Sequence, residues 1–167
     1  WLKDKAKRRS SFFIKLKIII SHRLNRFYHQ KIAHLKTIFV IVGKGKDNEK
    51  LQKLAASYQL GDKILYIGSV PYSDMPKVYA DSDLFLFASQ TETQGLVVIE
   101  AMASGVPVIA VEDNAFVEVV VNGKNGWLVK KEKELFAEKI NTVLRNTDLL
   151  KILGKNAKET SKAFDVS

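Results

Sequence analysis

The chain has 167 residues, 46% of them hydrophobic, with 27 Lys+Arg against 18 Asp+Glu and no cysteine. That is enough apolar material for one core of ordinary size, and the lack of cysteine excludes disulfides, thiolate metal sites and a cysteine nucleophile. No apolar run approaches the roughly 20 residues that span a bilayer as a helix, and the formal charge of +9 sits at one end: residues 1–36 carry eleven basic residues and one acid, Asp4.

The basic segment, residues 1–36, includes the first expected strand, Lys17–Ser21 (KIIIS), and residues 37–167 form the remainder of a single domain. Its charge points to an anionic partner, such as a membrane surface, a nucleic acid or phosphates. A solvated basic tail explains the charge as well. Nucleic acid is the least supported partner, because Phe12, Phe13, Phe27 and Tyr28 fall in no nucleic-acid motif. His22, His29 and His34 lie in the same segment with no recognisable triad partners. The basic start is not followed by an apolar stretch with a cleavage site, so a cytoplasmic chain is expected. Opening on Trp1 rather than Met is expected of a piece of something longer.

Beyond Lys36, short β-branched runs alternate with helical patterns. Strands are expected at Thr37–Val42 (TIFVIV), Lys63–Ile67 (KILYI), Leu84–Phe87 (LFLF), Val106–Val111 (VPVIAV) and Gly126–Val129 (GWLV). Helices are expected at Asp47–Gln59, Ser73–Ala80, Gln94–Ser104, Glu132–Arg145 and Asp148 to about Phe164. None of the longer strand runs alternates apolar with polar, the pattern of strands covered on both faces. The βαβα order predicts an α/β fold with a doubly wound parallel sheet, Rossmann-like, whose ligands bind at the carboxyl ends of the strands.

That rule sorts the motifs. Gly43-Lys44-Gly45-Lys46 follows a strand and opens a helix, as a phosphate loop would, but it lacks the third glycine of the dinucleotide fingerprint and is not a Walker A. A tight turn explains it as well as a nucleotide contact does. Asp81-Ser82-Asp83 resembles a metal-holding Asp-x-Asp pair, yet it precedes a strand, at the edge away from ligands, where Asp fills turns. No His/Asp/Glu cluster has metal-ligand spacing, so no metal site is assigned. The most informative stretch is Ala88–Val111 (ASQTETQGLVVIEAMASGVPVIAV). A loop there carries Glu92, Gly95 opens a helix, and Glu100 follows within two turns. A helix N-terminus suits a diphosphate, and ionised carboxylates accept paired sugar hydroxyls. On spacing alone, one Glu near a helix start and a second solvated Glu would account for the pair.

The whole string decides otherwise. Glu92-x7-Glu100 in ETQGLVVIEAMASGVPVIA, with EVVVNGKNGWLV at 118–129 and FVIVGKGK and ILYIGSVPYSDMPKVYADSDLFLFAS upstream, resembles the C-terminal half of a retaining family 4 glycosyltransferase of the GT-B fold. Thr91-Glu92-Thr93-Gln94-Gly95 is most similar to bacterial diacylglycerol glucosyltransferases. The resemblance implies that Glu100 holds the ribose hydroxyls of a nucleotide-sugar donor, expected to be UDP-glucose. It also implies that Glu92 contacts the transferred sugar near the reacting carbon, and that backbone N–H groups of Gln94, Gly95 and Leu96 bind sugar and diphosphate. Gly68, Ser69 and Val70 would meet the base, and Gly43 and Gly45 would let their turn approach the nucleotide. The family's diphosphate-neutralising arginine falls at Arg23. Its lysine falls at position 28, which is Tyr28 here, leaving Lys31 as the nearest candidate in a segment shorter than the family pattern.

The implied activity is hexosyl transfer with retention to a lipid or glycan hydroxyl. No tightly bound cofactor is implied beyond the nucleotide-sugar substrate. The acceptor domain of a GT-B enzyme is an expected partner, and an anionic membrane face a further one. The competing expectation is a non-catalytic basic module, docking a membrane or nucleic acid, on a degenerate nucleotide fold.

Overall fold

The computed structural model describes residues 17–20, 37–43, 47–88 and 95–164. The described strands are β1 Lys17–Ile20, β2 Phe39–Val42, β3 Ile64–Gly68, β4 Leu84–Phe87, β5 Val108–Val111 and β6 Gly126–Val129. Helices α1 Asn48–Ser57, α2 Met75–Ala80, α3 Leu96–Ala103, α4 Lys133–Leu144 and α5 Thr147–Ser161 lie between or after them. The strands form one six-stranded sheet in the order β3-β2-β1-β4-β5-β6. The switch in strand order falls around β1, as in a doubly wound sheet.

The expected parallel sheet holds for five strands and fails for one. β2 pairs parallel with β3, and β4, β5 and β6 pair parallel in series. β1 runs antiparallel to both neighbours, with Lys17 opposite Val42 and Ile20 opposite Phe39 and Leu84. A run such as KIII specifies a strand covered on both faces, but nothing in it specifies direction. The consequence is topological. Ile20, from which the chain continues toward Arg23, lies where β2 and β4 begin, and Lys17 lies where they end. In a wholly parallel sheet β1 would end at the ligand edge; running antiparallel, it ends at the opposite one.

Both faces of the sheet are covered, which explains the unbroken apolar runs. Phe85 and Phe87 belong to a core cluster with Val40, Val42, Tyr79, Val98, Met102 and Phe116. Their neighbours Leu84 and Leu86 point the other way, into a second cluster with Ile109, Val129, Val143 and Leu153. Helix ends fall close to the expected places. α2 starts two residues later than expected because Tyr72–Asp74 forms a 3₁₀ turn, with Pro76 in the first helical turn, where its missing N–H costs nothing. α3 starts at Leu96, with Gly95 as its N-cap residue in the left-handed region at φ 58°.

The loop between β5 and β6 is tied down by Asn125, which is fully buried. Its carbonyl accepts from Val121 N at 2.8 Å, and its amide donates to Val119 O at 3.0 Å and Thr160 Oγ1 at 3.1 Å. One side chain thus joins the loop to α5 and satisfies polar groups that burial would otherwise leave unpaired.

Candidate functional site

The ligand edge is built from the turns after β2, β3 and β4. Gly43 and Gly68 both have positive φ, at 128° and 68°, and Gly43 N donates to Gly68 O at 2.7 Å. This bond draws the first two turns together where the register of β2 and β3 shifts after Ile41. Ser69 and Val70 continue from Gly68 and lead through Pro71 to Tyr72, so the loop expected to meet a base also enters α2.

Gly95 occupies the third turn for two separate reasons. Its φ of 58° disfavours any L side chain, and a Cβ there would stand 3.1 Å from both Ala115 O and the Phe116 ring. Phe116 is fully buried and meets Phe87 edge to face, with centroids 5.4 Å apart. The start of α3 is thereby pressed onto the end of β4. The first N–H groups of a helix have no partners within it, so Leu96 begins an element whose positive end faces the ligand edge.

Glu100 lies one turn further along α3 and is half-buried. Tyr79 of α2 donates its hydroxyl to Glu100 Oε2 at 3.1 Å, and the Glu100 charge also reaches Tyr72. These three residues, with Met75, Pro76, Ala103 and Ser104, line a cavity of about 320 Å³. Burial first, and the Glu100 charge second, raise the pKa of Tyr79 far above the ordinary phenol value; the same two causes raise that of Tyr72. Both phenols are therefore neutral donors at physiological pH, facing a carboxylate that can accept further hydrogen bonds. Such an arrangement suits a ligand with paired hydroxyls beside an anionic group.

Of the residues named from sequence, the structure brings Gly43, Gly68, Ser69, Val70, Gly95 and Leu96 to the ligand edge, with Glu100 one turn behind. Glu92, Gln94, Gly45, Arg23 and Lys31 lie outside the described residues. Asp81 caps the C-terminus of α2, and Ser82 Oγ donates to Val78 O at 2.5 Å, at the edge opposite the glycine turns. Among the described residues no group of three His, Asp or Glu is placed to hold a metal ion. Sequence reasoning missed Tyr72 and Tyr79. Their spacing with Met75, at i, i+3 and i+7, puts all three on one helical face, but that pattern also describes an ordinary core face.

The family model for "Glycosyl transferases group 1" matches residues 22–160. The alpha-monoglucosyldiacylglycerol synthase of Acholeplasma laidlawii is 32% identical over 170 residues, covering 98% of this chain and 42% of the relative. The sulfoquinovosyl transferase SQD2 of Arabidopsis thaliana is 32% identical over 128 residues, covering 74% of this chain and 24% of the relative. Anabaena Alr3699/HepE in complex with UDP-glucose superimposes with a TM-score of 0.65 at 27% identity, over 74% of this chain and 35% of that one. The chain thus spans less than half the length of each of these proteins. Sequence match, sheet order and glycine turns agree, and the chain belongs to the group 1 glycosyltransferases.

Proposed function

We propose that this chain is the donor-binding half of a retaining glycosyltransferase that uses a uridine diphosphate sugar, UDP-glucose first among them. The observation that carries the reading is the half-buried Glu100 carboxylate, hydrogen-bonded by Tyr79 at a cavity wall one turn behind the start of α3. In this reading Glu100 accepts from the ribose hydroxyls, and the loop Gly68–Val70 meets the base. The backbone at Gln94, Gly95 and Leu96 binds diphosphate and sugar, with Gly43 and Gly45 admitting the nucleotide closely. Glu92 contacts the transferred hexose. The UDP-glucose complex of the Anabaena protein supports the donor class.

Catalysis then consists of stabilising the nucleoside diphosphate as it leaves an oxocarbenium-like sugar. The helix terminus supplies part of that electrostatic stabilisation. Arg23 and Lys31 are proposed to supply the rest, on the resemblance alone, since β1 ends at the opposite edge. The acceptor is a lipid hydroxyl of diacylglycerol type or a glycan hydroxyl, a class supported by the name of the Acholeplasma relative. It would be presented by an acceptor domain beyond this chain. Peripheral attachment to the inner face of a membrane would accompany a lipid acceptor; no described helix is long and apolar enough to cross one.

Calorimetric titration of UDP-glucose into the chain and into Glu100→Ala tests the reading. Binding that weakens about tenfold or more in the variant is expected, the size of lost hydrogen bonds to a charged group. Equal affinity for the two chains would overturn it.

A further inference from the structure

The Glu100 cavity contains two phenols to which the donor reading assigns no part. They differ in one physical respect. Tyr79 is 1% exposed, whereas Tyr72 is 68% exposed. Resting on the reading that Glu100 receives ribose hydroxyls, we propose that Tyr79 is a positioning residue that fixes Glu100 for the diol, whereas the exposed Tyr72 on the same cavity wall plays no such part.

Tyr79 is held on both sides of its hydroxyl bond. Its ring stands edge to face against Phe85, with centroids 5.7 Å apart at 87°, and its oxygen reaches Glu100 Oε2 at 3.1 Å. A buried phenol has no water to trade for that contact, so breaking it costs the full desolvation of the group. Burial and the Glu100 charge also keep it protonated, and therefore a donor, throughout the neutral range. The bond joins α2 to α3 and limits the rotamers open to a side chain that is itself only half-buried.

Tyr72 stands in the 3₁₀ turn Tyr72–Asp74 and lines the same cavity. Most of its surface is in water, so its hydroxyl is solvated and removing it leaves no buried group unpaired.

The test is calorimetry on the 167-residue chain with UDP and with 2′,3′-dideoxyuridine 5′-diphosphate, which lacks the diol. Tyr79→Phe keeps the ring and removes only the hydroxyl. It is expected to weaken UDP about tenfold and the dideoxy analogue by less than about twofold. Tyr72→Phe is expected to leave UDP within about twofold of the parent or to tighten it, since no fixed bond is lost. Equal weakening of both ligands by Tyr79→Phe, or weakening of neither, would overturn the positioning role. A loss in Tyr72→Phe as large as that in Tyr79→Phe would overturn the distinction between the two phenols. Glu100→Gln separates the two levels of the argument. If it removes the preference for UDP over the analogue while Tyr79→Phe preserves it, only this inference fails. If it leaves the preference intact, or if the parent chain does not bind UDP, the donor reading itself fails.

Discussion

Tyr79 and Glu100 meet across α2 and α3 at the residue scale, and their contact has a consequence for stability as well as for binding. A phenol whose pKa is raised in the folded chain binds its proton more tightly there than when unfolded. Its contribution is complete below the ordinary tyrosine value near 10 and is lost as pH rises above it. Thermal melting followed from pH 8 to 12 is expected to fall less steeply for Tyr79→Phe than for the parent chain above about pH 10. At Gly95, replacement by alanine forces a left-handed residue against Ala115 O and Phe116. The expected cost is about 1–2 kcal/mol in urea unfolding, with weaker UDP binding because the start of α3 must move. The glycine was legible in the sequence, since it stands between a polar loop and an apolar helix. The tyrosines were not, because a contact between residues 79 and 100 depends on how two helices pack, which no local spacing encodes.

Elements were legible where a local pattern sufficed. Unalternating runs such as LFLF and VPVIAV marked strands covered on both faces, and the two clusters that divide Leu84 and Leu86 from Phe85 and Phe87 show why. The direction of β1 was not legible, because pairing in either sense satisfies the same apolar run. That direction decides what stands at the ligand edge beside β2 and β4. Helix α5 makes a further point about close approach: a Cβ on Gly154 would lie 2.5 Å from Gly105 O, in the turn before β5. Gly154→Ala must push α5 off the sheet and is expected to lower stability by about 1–3 kcal/mol, measured by urea unfolding. Asn125→Ala leaves Val121 N and Val119 O without their buried partner. A loss of about 1–3 kcal/mol is expected there by the same measurement.

At the scale of the whole molecule, the excess charge belongs to one segment: of the eleven basic residues in 1–36, Lys17 begins β1 and the other ten precede or follow that strand in the sequence. The edge proposed to receive the donor, by contrast, is assembled from turns far apart in sequence, at Gly43, Gly68 and Gly95, which the sheet order brings to one side. Because the chain covers 42% of the Acholeplasma relative, the acceptor side of the cleft is proposed to come from elsewhere. The chain by itself is then expected to bind UDP-glucose without measurable transfer to a diacylglycerol acceptor in a radiolabelled assay.

The claim that this sheet edge receives a nucleotide sugar is tested most directly by titrating UDP-glucose into the isotope-labelled chain and following backbone amide shifts residue by residue. The account predicts changes concentrated at Gly43, Gly68–Val70, Gly95–Leu96 and Glu100, with α5 and the Asp81–Asp83 turn unmoved. Saturable changes confined to the opposite edge, or no changes at millimolar UDP-glucose, would contradict it.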